Sequence, residues 1–363
     1  MRTHRIAVIT GDGIGPEVMP EAVAALTASA DADGGFNLAI ETLDWGSERY
    51  LRAGSLMPDD WATTLGASDA ILAGPVGDPR VPDDVTVWGL ILRIRQHFAQ
   101  YVNLRPVRLF PGIAGPLRSA GVDDVDIVFV RENTEGEYAG IGGRVHRGRR
   151  LEVAAETSVF TREGVERIIR HAFEYALEHD RAKVTSITKS NALSHTMVFW
   201  DEVFGEVSAQ YPAMPCDSML VDAAAARLVT NPAAFDVVVA SNLFGDILSD
   251  VGAAIAGSLG VAPSANLDPT GGHPGLFQAI HGSAPDIAGR GIANPVGEIW
   301  SVALLLDHLG EAAAARRVER AIASALGDPA NRTPDLGGSA GTRHLGAAIR
   351  AAIGYGARPG SDG

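Results

Sequence analysis

The chain has 363 residues, a formal net charge of −14 and a pI near 5.1. This acidic balance argues against binding the phosphate backbone of nucleic acids, which requires clustered Lys and Arg. A single cysteine excludes an internal disulfide framework and favours a reducing, cytoplasmic setting, and no stretch has the length and apolarity of a signal sequence or membrane span. A 46% hydrophobic content at this length predicts two lobes rather than one domain.

Apolar runs and helical periodicities alternate along the chain, which is typical of the α/β class. The predicted strands cover residues 6–10, 38–43, 70–73, 127–131, 184–188, 219–221 and 235–240. The predicted helices begin near residues 16 and 61, cover about 161–178, pass through 200, and cover about 295–309 and 311–326. Residues 145–159 alternate apolar and polar side chains without a helical period, so they could form an extended arm that pairs with another subunit. The tail from residue 357 is expected to be frayed.

Two aspartates, Asp246 and Asp250, lie four residues apart on the helix that should follow strand 235–240. Like charges at this spacing repel by a few tenths of a kcal/mol, so the pair indicates a hard divalent cation with oxygen ligands. Gly245 is expected to let the chain turn sharply into this helix. The alternative is that Asp246 complements the helix dipole while Asp250 is a solvated charge, and the pair alone does not separate the two interpretations.

A glycine-rich loop, Thr10 to Glu17, follows the first strand and opens the first helix. This is the context of an anion-holding loop, but the G-x-G-x-x-G spacing of a Rossmann nucleotide site is missing. The glycines are equally consistent with a tight strand-to-helix turn.

Three arginines are placed where α/β proteins form sites. Arg95 lies on a predicted helix, Arg105 precedes a proline at an expected strand end, and Arg131 ends an apolar strand. Converging guanidinium groups would bind a dicarboxylate, whereas each arginine alone fits an ordinary ion pair. Trp88 and Ile91 share a helical spacing with Arg95, so they would flank its side chain, or simply form a partly buried helix face.

Tyr138 and Lys189 are candidate proton carriers. Both side chains normally titrate near 10, so acid–base work at neutral pH requires cations or desolvation that lower the pKa. The alternative for a lysine at a strand end is a solvated charge, and Asp222, just after an apolar run, could be a helix N-cap.

Six motifs then occur in an order that resembles the isocitrate and isopropylmalate dehydrogenase family, the decarboxylating β-hydroxyacid dehydrogenases. They are GDGIGPE at 11–17, NLRP at 103–106, RENTEG at 131–136, TKSN at 188–191, NLFGDILSD at 242–250 and HGSAPDI at 281–287. Residues 87–90 and 100–112 are most similar to the tartrate dehydrogenase and D-malate dehydrogenase (decarboxylating) branch.

The resemblance implies a two-lobed fold with a mixed parallel and antiparallel sheet flanked by helices, distinct from the Rossmann fold. One lobe would comprise residues 1–104 plus 261–363 and bind NAD; the other would comprise 105–260, with an arm at about 140–160. The resemblance also implies a homodimer with shared active sites. Lys189, Asn191 and Asp222 of one subunit would therefore complete the site that carries Tyr138, Asp246 and Asp250 of the other.

The resemblance also implies roles for individual residues. Asp222, Asp246 and Asp250 would hold Mg²⁺ or Mn²⁺, Lys189 and Tyr138 would transfer protons, and Arg95, Arg105 and Arg131 would bind the carboxylate that leaves as CO₂. The residues implied for NAD binding are Gly74, His281, Gly282, Ser283, Ala284, Asp286 and Asn294. The Asp286 carboxylate would accept the ribose hydroxyls and repel a 2′-phosphate, which favours NAD over NADP.

The size of the substrate is predicted from Trp88, Gly89 and Ile91. Isocitrate enzymes carry a serine near the position of Ile91 and isopropylmalate enzymes carry leucines, and this sequence matches neither. An indole at residue 88 could close the pocket over a four-carbon acid, which predicts D-malate or tartrate. The alternatives are an isopropylmalate dehydrogenase of leucine biosynthesis with relaxed specificity and, from another class, a non-catalytic regulatory subunit.

Overall fold

A computed structural model describes residues 1–118 and 120–355, so the tail expected to be frayed lies outside the described residues. The strands are β1 (Arg2–Ile9), β2 (Phe36–Leu43), β3 (Ala70–Ala73), β4 (Val102–Arg108), β5 (Asp126–Glu132), β6 (Gly136–Val145), β7 (Val153–Val159), β8 (Val184–Thr188), β9 (Cys216–Leu220), β10 (Val237–Ala240), β11 (Pro263–Leu267) and β12 (Gly275–Ala279). The α-helices are α1 (Gly15–Asp33), α2 (Ser47–Ala53), α3 (Trp61–Gly66), α4 (Asp83–Thr86), α5 (Leu92–His97), α6 (Arg162–Glu178), α7 (Thr196–Ser208), α8 (Val221–Thr230), α9 (Asn242–Ile255), α10 (Val296–His308), α11 (Ala312–Gly327) and α12 (Thr342–Tyr355). A π-helix, Val87–Ile91, precedes α5. The predicted α/β class is confirmed, and none of the described helices is long and apolar enough to cross a membrane.

The chain forms two compact units. The first comprises residues 1–100, 108–122 and 253–363, and the second comprises 101–107 and 123–252. Residues 108–122, which the sequence analysis assigns to the smaller lobe, belong to the first unit. There Phe110 packs edge-on against Trp300 of α10, with ring centroids 5.0 Å apart, so an aromatic contact holds this segment.

The first unit contains strands in the order β2-β1-β3-β12-β11. β1 is parallel to β2 and β3, β12 is parallel to β3, and β11 is antiparallel to β12, which confirms the predicted mixed sheet. Ile9 at the end of β1 is in register with Ala73 at the end of β3. The loops that follow these two strands are therefore adjacent, and they carry the glycine-rich segment and Gly74.

The second unit contains strands in the order β4-β5-β10-β8-β9. β5, β10, β8 and β9 are parallel. Arg131 of β5 pairs with Ala240 of β10, and Thr188 of β8 pairs with Leu220 of β9. Because the carboxyl ends of parallel strands meet at one edge of a sheet, this edge collects the side chains that follow each strand.

β6 and β7 form a separate two-stranded antiparallel hairpin where the extended arm was predicted. Its apolar side chains are largely exposed, at 53% for Ile141, 76% for Leu151 and 55% for Val153. Several large apolar side chains exposed on one small hairpin are unusual on a monomer surface.

A buried acid lies in the first unit. Glu298, in the first turn of α10, is fully buried, and among the described residues no charged side chain pairs with its carboxyl group. Burial raises the pKa of Glu298 to about 8, and the backbone of Ala279 only partly opposes this effect. The carboxyl therefore stays protonated in the folded protein at neutral pH, because an ionised carboxylate without a partner is costly to bury.

Replacing Glu298 by Gln should flatten the pH dependence of stability. In the unfolded chain this carboxyl ionises above about pH 4.5, whereas in the folded protein it ionises only near pH 8. The wild-type protein should therefore lose unfolding free energy as the pH rises between these values, by up to about 1.4 kcal/mol per pH unit. Urea unfolding between pH 4.5 and 8 tests this. The curves of the two proteins should meet near pH 4.5 and diverge above it, and parallel curves would contradict the assignment.

Candidate active site

Arg131 lies one residue before the end of β5 and is only 2% exposed. Its guanidinium donates two hydrogen bonds to Asn242 Oδ1, from Nε at 3.0 Å and Nη2 at 2.7 Å, and forms a short ion pair with Asp246 Oδ1. Burial and the nearby charge of Arg105 lower the pKa of Arg131 to about 10. The group thus remains a buried cation at neutral pH, and Asp246 is its counter-ion.

Arg105 lies in the middle of β4 and not at a strand end as predicted, because β4 continues for three residues beyond it. Its guanidinium donates to Asn103 Oδ1 at 2.7 Å and to Ser249 Oγ at 2.8 Å. Nη2 also lies 3.1 Å from Asp246 Oδ1, and Nη1 lies 3.4 Å from Asp250 Oδ1. The structure therefore brings two of the three predicted arginines together on the predicted pair of aspartates.

The two aspartates lie on one face of α9. Asp246 does more than complement the helix dipole, because it pairs with Arg105 and Arg131, and Asp250 is not a fully solvated charge, because it lies beside Arg105. The Asp246 side chain is 32% exposed and the Asp250 side chain 50% exposed. Burial raises the pKa of Asp250, the charge of Asp246 raises it further, and Arg105 opposes both effects. Carboxylate oxygens at this spacing fit a hard divalent cation.

Gly245 has a different role from the one predicted. It lies inside α9 rather than at the turn before it. A Cβ atom at this position would lie 2.8 Å from both Cβ and Cγ of Arg131. Glycine is therefore needed because the arginine side chain passes directly against the helix backbone.

Tyr138, on β6, contacts the same cluster. Its hydroxyl donates to Asp246 Oδ2 at 3.1 Å, and the Arg131 guanidinium lies 5.6 Å from its ring centroid. Burial and the Asp246 charge raise the pKa of Tyr138, although Arg131 acts in the opposite direction. In the described chain burial and the Asp246 charge thus outweigh Arg131, and the expectation that a metal together with the arginines lowers this pKa stays a prediction.

Lys189 and Asp222 form an ion pair at the ends of neighbouring strands. Lys189 Nζ lies 2.5 Å from Asp222 Oδ1, and this hydrogen bond lowers the pKa of Asp222. Asp222 is the second residue of α8 rather than its N-cap, because the helix already begins at Val221. The Asp222 side chain is 65% exposed, and Asn191, just beyond Lys189, is exposed as well.

The metal site predicted from three aspartates is not complete within one chain. Among the described residues, no group of three or more His, Cys, Asp or Glu side chains is arranged to hold a metal ion. Asp246 and Asp250 supply two carboxylates, and Asp222 is engaged by Lys189 of its own chain. The resemblance assigned Asp222 to the partner's site, so its contribution stays a prediction.

In the first unit, the glycine-rich loop forms a tight turn against two other loops. Gly11 and Gly13 have φ values of 76° and 58°, which favour glycine. Gly11 packs against the backbone of Gly74, and Gly13 packs against Ser283. The Asp12 carboxylate accepts hydrogen bonds from the backbone and hydroxyl of Ser47. The turn interpretation accounts for these glycines, and Gly74 likewise permits close approach of two strand ends.

The first unit also contains a cavity of about 400 Å³. Its lining residues are Ile14, Ser258, Gly260, His281, Gly282, Ala284, Ile287, Ile292, Ala293, Asn294, Pro334 and Asp335. Four of the predicted cofactor residues line it, whereas Gly74, Ser283 and Asp286 do not. Asp286 is exposed just beyond Ala284, whose φ of 42° is strained for a non-glycine residue.

His281 leaves one polar atom in this cavity without a partner among the described residues. Its Nδ1 lies 3.0 Å from the carbonyl oxygen of Gly282, and the buried Nε2 has no hydrogen bond. Burial lowers the pKa of His281, which keeps the ring neutral. With Nδ1 donating to the carbonyl, Nε2 is an acceptor, so a ligand with a donor N–H or O–H group would complete it. The cavity thus fits a mainly apolar ligand with a few polar groups, such as the adenosine part of a dinucleotide.

Asp335, which no sequence pattern singled out, lines the same cavity. Its carboxylate accepts hydrogen bonds from Ser258 Oγ at 2.5 Å, Asn294 Nδ2 at 3.0 Å and Thr333 Oγ1 at 2.5 Å. Asn294 Oδ1 in turn accepts from the backbone N–H of Val296 at the start of α10. The only sequence signal was an aspartate in a loop after a proline, which also describes an ordinary turn.

Trp88, Ile91 and Arg95 do not share one regular helix face. Trp88 and Ile91 lie on the π-helix, which is wider than an α-helix and shifts the predicted three- and four-residue spacing. Trp88 is 39% exposed, whereas Ile91 is 6% exposed and packs in the apolar core of the first unit. Arg95, on α5, is buried at 5% exposure. Their predicted contacts with substrate stay predictions.

Comparison with known proteins identifies the family. The family model described as isocitrate/isopropylmalate dehydrogenase matches residues 5–349, and the chain belongs to this family. It is 49% identical to a probable tartrate dehydrogenase/decarboxylase of Agrobacterium vitis over 97% of each chain. It is also 49% identical to a D-malate dehydrogenase [decarboxylating] of Escherichia coli (strain K12), over 96% of this chain and 98% of the other. Among solved structures, isocitrate dehydrogenase from Methylococcus capsulatus matches with a TM-score of 0.87 and 37% identity, covering 97% of this chain and 99% of that one.

Replacing Gly245 by Ala should destabilise the protein by about 1–3 kcal/mol, because the added methyl group would overlap the Arg131 side chain. Gly205 in α7 is the matched control, since a Cβ there meets no atom within 4 Å. Gly205→Ala should leave stability unchanged or raise it by roughly 0.5–1 kcal/mol through helix propensity. Urea unfolding of both variants measures the difference, and equal effects would contradict the close approach.

Proposed function

We propose that this chain is an NAD- and divalent-metal-dependent dehydrogenase that oxidatively decarboxylates a small 2-hydroxy dicarboxylic acid. The preferred substrates are D-malate, converted to pyruvate and CO₂, and tartrate. The observation that carries the proposal is the cluster of Arg105 and Arg131 with Asp246, Asp250 and Tyr138. Relatives named for tartrate and D-malate dehydrogenase support the choice of substrate.

The charges of this cluster support an anionic substrate together with a dication. Arg105 and Arg131 carry two positive charges, and Asp246 and Asp250 carry two negative charges, so the cluster is close to neutral. A divalent cation and a doubly charged dicarboxylate also sum to zero. Both can therefore enter together without an uncompensated buried charge, whereas either one alone would leave such a charge. This coupling predicts that substrate and metal favour each other's binding.

The arginines would bind the carboxylate that leaves as CO₂. Arg131 is fixed by two hydrogen bonds to Asn242, and Arg105 is fixed by Asn103 and Ser249. Side chains held in this way lose little further freedom when a carboxylate binds, so the binding energy is available to orient the substrate. Planar guanidinium groups also match carboxylate geometry better than lysine would.

NAD⁺, when bound, would supply the hydride acceptor, and Mg²⁺ or Mn²⁺ held by Asp246 and Asp250 would supply positive charge for the substrate oxygens as CO₂ leaves. Tyr138, whose hydroxyl donates to Asp246, would deliver its phenolic proton to the product carbon. Lys189, as the neutral amine, would accept the hydroxyl proton during hydride transfer and become the ammonium. The contact of its Nζ with Asp222 holds the side chain at the carboxyl ends of β8 and β9.

The cavity in the first unit supports a dinucleotide cofactor through the acceptor atom of His281 and its apolar lining. Asp286 supports NAD rather than NADP. Asp286 is exposed and lies in the chain between Ala284 and Ile287, which both line the cavity. A negative charge there would repel a 2′-phosphate.

The two alternative functions are an isopropylmalate dehydrogenase and a non-catalytic regulatory subunit. An isopropylmalate dehydrogenase would need an apolar pocket for a branched chain, and the half-exposed indole of Trp88 favours a smaller acid. A non-catalytic regulatory subunit would not need a buried arginine pair, two carboxylates and a tyrosine in mutual contact.

A substrate panel tests the proposal directly. With NAD⁺ and Mn²⁺, kcat/KM should be highest for D-malate or a tartrate isomer and at least about 10-fold lower for 3-isopropylmalate, because a mismatched side chain costs roughly 1–3 kcal/mol. Replacing NAD⁺ by NADP⁺ should lower the rate. Metal removal with EDTA should abolish turnover, and Mn²⁺ should restore it. A preference for 3-isopropylmalate would favour the alternative enzyme, and no NADH formation with any acid would favour the regulatory subunit.

We further propose that the chain acts as a homodimer whose sites combine residues of both subunits. The exposed apolar hairpin of β6 and β7 supports a protein contact surface. The incomplete set of carboxylates in one chain supports a contribution from the partner's Asp222.

Mixing two inactive variants tests the shared site. Lys189→Ala and Tyr138→Phe proteins should each have little activity, and Lys189→Ala should still bind NAD⁺. If Lys189 and Tyr138 of one site come from different subunits, each mixed dimer has one intact site. Random subunit exchange after mild denaturation should then restore about a quarter of the wild-type activity. No recovery despite proven exchange would show that both residues of a site come from one chain.

A further inference from the structure

We infer that Glu137 is a positioning residue that fixes Tyr138 against the carboxylate helix α9. The inference rests on the proposed role of Tyr138 as proton donor. It starts from an irregularity in the β6–β7 hairpin, where Gly136 pairs with Val159 but the next pair is Ile141 with Thr157. Residues 137–140 therefore bulge out of the ladder.

The backbone of this bulge has the conformations that let the strand leave its partner and rejoin it. Gly136 and Gly140, at its two ends, have φ values of 74° and 70°. These left-handed conformations favour glycine and allow the strand to leave and rejoin its partner. In a regular strand, neighbouring side chains point to opposite faces, whereas in the bulge Glu137 and Tyr138 both reach α9.

Glu137 reaches the first turn of α9. Its Oε1 accepts a hydrogen bond from Ser241 Oγ at 2.9 Å, and its Oε2 accepts one from the backbone N–H of Leu243 at 3.0 Å. The N–H groups of a first helical turn have no partner within the helix, and a carboxylate there also opposes the positive end of the helix dipole. Glu137 therefore caps α9 from outside the helix.

Tyr138 reaches one turn further along the same helix, where its hydroxyl donates to Asp246 Oδ2. Two adjacent residues of the bulge thus hold α9 at two points, one at its N-terminus and one at Asp246. The first contact sets the distance of the second, because α9 is rigid between Leu243 and Asp246. Loss of the Glu137 contact should let the bulge and helix separate and misplace the phenol.

Glu135 offers a matched control. Its carboxylate also accepts hydrogen bonds at the start of a helix, from the backbone N–H of Thr161 at 3.0 Å and Thr161 Oγ1 at 2.8 Å. That helix is α6, which carries none of the predicted site residues. Both glutamates therefore brace a helix start, but only Glu137 braces the helix with Asp246.

A double-mutant cycle with Tyr138 distinguishes positioning from general stability. Glu137→Ala should lower kcat for D-malate roughly 10-fold, because small misplacements of a catalytic group have effects of this size. Glu137→Gln, which keeps one acceptor oxygen, should lower kcat less than about 3-fold. In a Tyr138→Phe background, Glu137→Ala should lower kcat by less than about 2-fold, since the group it positions is already lost. Glu135→Ala should leave kcat within about 2-fold of wild type.

Hydrogen exchange provides a second readout that does not need turnover. Amides of residues 243–246 should exchange faster in Glu137→Ala, less so in Glu137→Gln, and the exchange pattern of α9 should be unchanged in Glu135→Ala. Unchanged exchange at 243–246, or kcat losses that multiply in the double variant, would overturn the inference. Wild-type kcat in Tyr138→Phe would instead contradict the proposed function, and the exchange data alone would then decide whether Glu137 braces α9.

Discussion

The ion pair between Arg131 and Asp246 is the interaction on which the rest of the site depends. Arg131 is almost fully buried, so its positive charge needs a counter-ion that is itself held in place. The parallel pairing of Arg131 with Ala240 places the arginine beneath the start of α9, and Gly245 leaves room for its side chain. Without Asp246 the buried Arg131 guanidinium would lose its ion-pair partner, and a side chain at residue 245 would collide with the Arg131 side chain.

The same ion pair separates buried positive charge from exposed negative charge within the cluster. The arginines are buried at the base, with side chains 2% and 7% exposed, while the carboxylates of Asp246 and Asp250 are 32% and 50% exposed. Positive charge is thus fixed in the interior and negative charge faces outward. A dication can approach the exposed carboxylate oxygens, and the arginines can then serve a bound dicarboxylate without a change in net charge. The Tyr138 hydroxyl adds a proton, which it donates in a hydrogen bond to the Asp246 carboxylate.

Much of this could be predicted from local sequence. The strand that precedes α9, the two aspartates one helical turn apart, and Arg131 at the end of a β-branched strand are all features of local pattern and spacing. The motifs added the family, which the comparison confirms. Features that arise from contacts between distant segments could not be predicted. Arg105 lies within a strand, Gly245 makes room for a side chain 114 positions earlier in the chain, and the Tyr138 hydroxyl donates to Asp246. The roles of Asp335 and Glu137 also depend on contacts between distant segments. Acidic residues in loops and strands have no periodic pattern that distinguishes a residue holding another segment in place from a solvated charge.

The most direct test of the account is a crystal structure with Mn²⁺ and D-malate, in which anomalous scattering locates the metal. We expect a manganese peak within about 2.0–2.3 Å of carboxylate oxygens of Asp246, Asp250 and the partner's Asp222, with a substrate carboxylate on Arg105 and Arg131. A metal bound elsewhere, with the two aspartates still occupied only by the arginines and no second chain at the site, would contradict it.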